Sequence, residues 1–221
     1  MSGRPFEDRL REGLAALGLP LSDQQVKQLL DYQELLLKWN RVYNLTAVRD
    51  PQDMLTHHLL DSLAVVPPLQ RQLALRHPQG SARVLDVGSG AGLPGVVIAI
   101  CCPDIRVTCV DAVAKKVAFI RQAQVALGLA HLQGRHARVE TLSETFDVVC
   151  SRAFASLVDF VDGSRRLLAD GACWMAMKGQ PPTDEIAALP SDVGVFHVEQ
   201  LQVPGLDAQR CIVWMAPAAA G

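Results

Sequence analysis

Val84-Leu85-Asp86-Val87-Gly88-Ser89-Gly90-Ala91-Gly92-Leu93-Pro94-Gly95 decides the fold. A short apolar run carrying one acid breaks into glycines at positions 88, 90, 92 and 95, and a proline then opens a second apolar stretch. The run predicts a buried strand, and the proline predicts the start of a helix whose first N–H groups lack an intrahelical acceptor. Between them the glycines allow a tight turn whose backbone can lie directly against a ligand. A turn that binds nothing would need fewer of them. A nicotinamide dinucleotide turn reads G-x-G-x-x-G, but here the third glycine comes one position early; no lysine followed by Ser or Thr completes a P-loop.

Outward from this segment, apolar runs at Val84–Val87, Val107–Val110, Phe146–Cys150 and Ala172–Met177 read as strands of a parallel sheet buried on both faces. Helical patterns begin near Pro94, near Val113 with Gly128 as its stop, and near Leu157, giving the alternation of a doubly wound α/β fold. Val195–Val203 and Cys211–Met215, joined through Pro204-Gly205, predict an antiparallel hairpin at the sheet edge. Upstream the texture is helical. Phe6, Leu10, Leu14 and Leu17 recur at helical spacing until Gly18 and Pro20, and Ser22 with Gln25 forms a capping box for a helix reaching Trp39. Asp50-Pro51 opens another helix toward Leu63, which Pro67-Pro68 is expected to close. The expected division is an N-terminal helical subdomain, residues 1–80, and an α/β domain, residues 81–217.

The 221 residues suffice for one such domain with an appendage. Hydrophobic residues make up 49% and charged residues 20%, with no apolar run of membrane-spanning length. Glu7 and Asp8 interrupt what would be the core of a signal peptide, so a cytoplasmic protein is expected. The six cysteines, Cys101, Cys102, Cys109, Cys150, Cys173 and Cys211, show no C-x-x-C spacing and mostly sit in apolar runs; small buried side chains, with neither zinc nor disulfide, are expected. A net charge of −2 gives no global attraction for polyanions, so any contact with nucleic acid must be local.

The D-x-G-x-G-x-G form of the loop resembles that of S-adenosylmethionine-dependent methyltransferases. The resemblance implies that Gly88, Gly90 and Leu93 line the cofactor and that Asp86 helps orient its methionine end. Asp111 ends the second strand, where a doubly wound fold sets an acid against ribose hydroxyls; capping the next helix is a compatible role. His136-Ala137-Arg138-Val139-Glu140 follows the third strand, where related folds bind adenine, and Val139 and Glu140 are the candidates there, although Glu140 could equally be a solvated charge.

Several phrases are narrower. Lys38-Trp39-Asn40-Arg41-Val42-Tyr43-Asn44-Leu45-Thr46, His57-His58-Leu59-Leu60-Asp61-Ser62-Leu63, Gly90-Ala91-Gly92-Leu93-Pro94-Gly95, Ser151-Arg152-Ala153-Phe154-Ala155, Lys178-Gly179-Gln180 and Leu201-Gln202-Val203-Pro204 together resemble the RsmG family of bacterial small-subunit ribosomal RNA guanine-N7 methyltransferases. The resemblance implies a class I methyltransferase fold, a seven-stranded, mostly parallel sheet with an antiparallel last strand, and an N-terminal helical subdomain. It further implies S-adenosylmethionine as methyl donor, S-adenosylhomocysteine as product, and a guanine of 16S ribosomal RNA, in the small subunit or its precursor, as acceptor. It also marks Arg152 as part of the cofactor or substrate site; a structural ion pair is the alternative.

Guanine N7 carries a lone pair and no proton, so an in-line displacement needs no general base and no catalytic dyad is expected. Phe154 either stacks on a splayed base or packs in the core. Lys38, Arg41, Arg49, Arg121, Arg135, Arg138, Arg165, Arg166 and Lys178 are candidate phosphate contacts. His57-His58 lacks companions at ligand spacing and reads as packing or capping rather than metal binding. A small-molecule methyltransferase and a non-catalytic cofactor- or RNA-binding module are the competing readings.

Overall fold

The computed structural model describes residues 4–77, 81–152 and 154–218; Ala153 and the expected boundary between residues 80 and 81 fall at or beside positions outside the described residues. In chain order the elements are α1 (Arg4–Ala16), α2 (Asp23–Tyr43), α3 (Pro51–Met54), a π-helical turn (Leu55–Leu60), α4 (Asp61–Leu63), α5 (Val66–Arg76), β1 (Arg83–Val87), α6 (Gly95–Cys101), β2 (Arg106–Asp111), α7 (Ala114–Ala126), β3 (Leu132–His136), β4 (Phe146–Arg152), α8 (Leu157–Ser164), β5 (Leu168–Lys178), α9 (Thr183–Ala187), β6 (Val193–Leu201) and β7 (Arg210–Pro217). Among the described residues no helix is long and apolar enough to cross a membrane.

The strand order is β3-β2-β1-β4-β5-β7-β6. Strands β1 to β5 pair in parallel, whereas β7 runs antiparallel to both β5 and β6, so the predicted hairpin supplies the reversed strand and the edge. β1 lies between β2 and β4, and the chain departs from it in both directions across the sheet. Its carboxyl end is therefore the switch point at which an open α/β sheet leaves a crevice.

Local chemistry explains the helical boundaries. Ser22 Oγ accepts the Gln25 N–H at 3.3 Å and Gln25 Oε1 accepts the Ser22 N–H at 3.0 Å, completing the capping box of α2. Asp50 Oδ1 accepts the N–H groups of Gln52 and Asp53 at the head of α3. Pro67 and Pro68 correct the expectation that they close a helix: they stand in the first turn of α5. First-turn N–H groups have no intrahelical acceptor, so prolines lose nothing there. β3 has only Leu132 and Gly134 buried, so it carries no apolar run to mark it in the sequence.

Alternate strand residues face opposite layers. On one face Val84, Val107, Cys109, Val148, Cys150, Met175 and Trp214 share a single core with α1, α2, the 51–63 helical run, α5, α6 and α7. On the other, Leu85, Val87, Val110, Val149, Trp174 and Met215 pack against α8. All six cysteines are free and buried, five of them within the first of these layers. The first helices are thus part of the packing on one side of the sheet, and α2 is held there by polar contacts as well: Gln25 Nε2 donates to Ile100 O at 2.9 Å and Gln28 Nε2 to Leu127 O at 2.7 Å.

Candidate functional site

The parallel strands deliver the sequence candidates to one rim. β1 ends in the glycine loop, β2 ends in Asp111, β3 leads to Val139 and Glu140, and β4 ends in Arg152. Because β3, β2, β1 and β4 are neighbours in that order, Glu140 and Arg152 stand on opposite sides of the loop.

Gly88 and Gly90 have φ of +65° and +60°, the left-handed region that favours glycine. The loop is tied down from below by Gly88 N–H to Val110 O at 2.9 Å and Gly92 N–H to Ser89 O at 2.8 Å. Asp111, 7% exposed, fixes it from the side: Oδ2 accepts the Gly90 N–H at 2.9 Å while Oδ1 accepts the Val113 N–H at 2.8 Å, heading α7. A carboxylate oxygen can accept more than one bond, so both roles expected of this acid, capping and ligand contact, are open to it at once. The α2 helix reaches the same loop, where Tyr32 OH donates to Ala91 O at 2.7 Å.

Asp86 lies beneath the loop and is fully buried. Its Oδ2 accepts the Gly95 N–H at 2.9 Å, and Oδ1 has no hydrogen-bond partner among the described residues. A Cβ at position 95 would overlap Cys109 Sγ and come within 2.9 Å of Asp86 Oδ2, so only glycine permits this approach. Burial pushes the Asp86 carboxyl up to about 7, opposed by the Gly95 N–H and by Arg152. A folded-state value above the unfolded one contributes stability that is present below about pH 4 and lost as the pH rises through about 7. Urea unfolding at pH 5 and pH 8 checks this: wild type is expected to lose on the order of 2 kcal/mol more than Asp86→Asn over that interval. Equal losses would mean that the carboxyl titrates normally.

Leu93 and Val139 are buried, at 2% and 8% exposure, so their side chains belong to the packing behind the rim; Glu140 is exposed. Phe154 is partly buried, tilted against Phe160 at 5.6 Å, with its ring edge 4.0 Å from where a Gly88 Cβ would stand. It packs against the core beside the loop, the second of the two roles expected of it.

Arg152 brings in residues that the sequence reading did not single out. Its Nη1 donates to Asp61 Oδ2 at 3.2 Å and to His57 O at 3.2 Å, while Arg210 Nε donates to Asp61 Oδ1 at 2.8 Å. Asp61, with its side chain 5% exposed, therefore holds two arginines that are about a quarter exposed, one from β4 and one from β7. The only local cue was an acid set among the leucines at 59, 60 and 63, which says nothing of its partners. His58 beside it takes the packing role expected for the histidine pair. Its Nε2 meets Thr46 Oγ1 at 2.7 Å and its Nδ1 meets His57 O at 3.0 Å, and burial together with Arg152 lowers its pKa to about 4.

A strand-glycine-helix turn at the switch point, an acid closing the next strand and a reversed seventh strand define a class I methyltransferase. Solved structures agree on the fold. TrmN from Thermus thermophilus matches with a TM-score of 0.55 at 21% identity over 74% of this chain and 53% of that one. A SAM-dependent methyltransferase from Aquifex aeolicus matches at 0.54 and 17% identity over 75% of this chain and 97% of that one. The chain belongs to the GidB family, rRNA small subunit methyltransferase G, which matches residues 25–213. Proteins named Ribosomal RNA small subunit methyltransferase G are 65% identical in Acidovorax sp. (strain JS42), over 99% of each chain, and 66% identical in Polaromonas sp. (strain JS666), over 96% of this chain and 94% of that one.

Proposed function

We propose that the protein methylates N7 of a guanine in 16S ribosomal RNA, within the small subunit or its precursor in the cytoplasm, using S-adenosylmethionine. The observation that carries the proposal is the Gly90–Asp111 contact at 2.9 Å, which locks an open glycine turn to an acid at the carboxyl edge of a sheet in a chain of this family. The Asp86 Oδ1 without a partner and the space above Gly90, where a Cβ would meet nothing within 4 Å among the described residues, fit a bound cofactor. In this reading the backbone of Gly88, Gly90 and Leu93 receives the methionine end with Asp86 beneath it, Asp111 accepts the ribose hydroxyl protons, and Val139 with Glu140 borders the adenine. Arg152, next to the loop on the β4 side, positions the cofactor carboxylate or the substrate.

Bound S-adenosylmethionine supplies a methyl group activated on a sulfonium, open to in-line displacement. Guanine N7 needs no deprotonation, so the rim residues bind, align and exclude water, contributions of proximity and desolvation. The part of the chain expected at residues 81–217 holds the cofactor.

The test is transfer of label from S-adenosylmethionine to naked 16S RNA, to small subunits from a strain lacking the activity, and to a panel of small metabolites. One labelled 7-methylguanosine in the RNA is expected. Asp111→Ala should weaken cofactor binding about 10- to 100-fold, as loss of charge-assisted hydrogen bonds does. Label confined to small metabolites would replace the RNA reading with a small-molecule one.

A further inference from the structure

We infer that the C-terminal end of α2, the loop after it and the first turn of α7 form the surface on which the RNA strand flanking the target guanine docks; the inference rests on the RNA reading above.

The cations themselves narrow the choice. Four of the nine basic candidates have local partners: Arg121 Nε donates to Gly134 O at 3.1 Å, Arg135 pairs with Glu144, Arg165 with Asp192, and Lys178 with Glu185. The other five, Lys38, Arg41, Arg49, Arg138 and Arg166, are exposed and none is paired with a carboxylate among the described residues; of these, Lys38, Arg41 and Arg49 cluster within twelve residues of chain. Arg49 donates to Asn44 Oδ1 at 3.3 Å, folding the loop back on the helix end. Between them opens a cavity of about 310 Å³ lined by Leu37, Asn40, Arg41, Asn44, Arg49 and Pro51. Two guanidiniums and the Asn44 amide around such a space suit a phosphate with part of its nucleotide, while the buried Asn40 amide shapes the floor through Val48 O and the Thr46 N–H. Asp50, the nearest acid in sequence, spends Oδ1 on the N–H groups of Gln52 and Asp53.

A helix C-terminus ordinarily repels anions through its free carbonyls. Here Lys115 Nζ donates to Tyr43 O at 2.8 Å, covering one of those carbonyls with a cation from α7. Its neighbour Lys116 lies 3.9 Å from Asp111 Oδ2, the same oxygen that accepts the Gly90 N–H, so the first turn of α7 carries cations from the end of α2 to the edge of the glycine loop. Val42 and Tyr43 are exposed at 70% and 44%. The Tyr43 ring rests on Trp39 at 5.0 Å, and Trp39 meets Phe119 at 5.6 Å, which makes the tyrosine a braced platform. Cations that track a backbone beside an aromatic face able to stack a base are the composition by which proteins hold single-stranded RNA. For a molecule of net charge −2, such a local patch is the way to attract a polyanion.

The experiment compares wild type, Arg41→Gln/Arg49→Gln, Tyr43→Ala and, as a control, Arg106→Gln, an exposed arginine at the amino edge of the sheet. Methylation is followed on whichever RNA substrate wild type modifies, with S-adenosylmethionine saturating. The double variant is expected to raise KM for RNA about tenfold, with kcat within about twofold and cofactor Kd unchanged. The slope of log KM against log salt should become shallower by about 1.4, the loss of two single-strand phosphate contacts. Tyr43→Ala should raise KM about fivefold or more without changing the slope. A wild-type KM and slope in the double variant, or equal effects in Arg106→Gln, would overturn the docking surface while leaving RNA methylation standing. Absence of RNA methylation by wild type itself would overturn the functional reading instead.

Discussion

Gly90→Asp is expected to cut kcat/KM for the cofactor by at least a hundredfold while the protein stays folded. At φ of +60° any L side chain is strained, but aspartate is among those that tolerate the left-handed region, at a cost of about 1 kcal/mol. Among the described residues nothing lies within 4 Å of the new Cβ, which leaves the side chain room without displacing the fold. The added carboxylate would instead fill the open side of the turn, next to the Asp111 carboxylate that accepts the Gly90 N–H at 2.9 Å. Repulsion between the two acids and occlusion of the turn act in the same direction. Calorimetric titration with S-adenosylhomocysteine, beside a thermal melt, separates loss of binding from loss of fold. Normal binding by the variant would remove the glycine loop from the cofactor site.

The second large effect falls on stability. Asp61→Ala leaves Arg152 and Arg210 facing one another with no carboxylate between them. Removing one partner of a buried ion pair typically costs 3–5 kcal/mol; because the arginines remain about a quarter exposed, the lower end, about 3 kcal/mol, is expected here. Asp61→Asn keeps two polar atoms in place and should lose less. Urea denaturation of both variants measures the difference, and a loss below about 1 kcal/mol for Asp61→Ala would mean that the arginines find other partners or water. Activity should fall in both, since Arg152 would no longer be held at the rim from its far side.

The sequence was most readable where one physical rule acts alone. Buried parallel strands are nearly continuous apolar runs, so β1, β2, β4 and the core of β5 stand out, and the Ser22–Gln25 and Asp50–Pro51 signals fall on observed helix starts. β3 escaped because an edge strand with a polar face, Leu132-Gln133-Gly134-Arg135-His136, carries too little apolar signal. Pro67-Pro68 misled because proline tolerates two positions, after a helix and in its first turn, and the residues that decide between them, the buried Leu69 and Leu73, lie downstream. Of the candidate site residues, the glycine loop, Asp111 and Arg152 could be placed on one rim because each sits at a strand end. Asp61, Arg210 and Tyr32 could not, because their partners are 91, 149 and 59 residues away in the chain. No periodicity encodes such pairings.

The single core that α1 to α7 share with the sheet has a consequence for the order of events during synthesis. Residues 4–77 leave the ribosome first, carrying apolar stripes whose partners have not yet been made. Some of those partners come at the very end of the chain: Ile212 and Trp214, on β7, belong to the same packed layer as Leu29, Leu36 and Leu59. Contacts between such distant parts of a chain form late and slowly. The first helices must therefore wait, partly exposed, for nearly the whole polypeptide, a period in which a chain is most open to association with its neighbours.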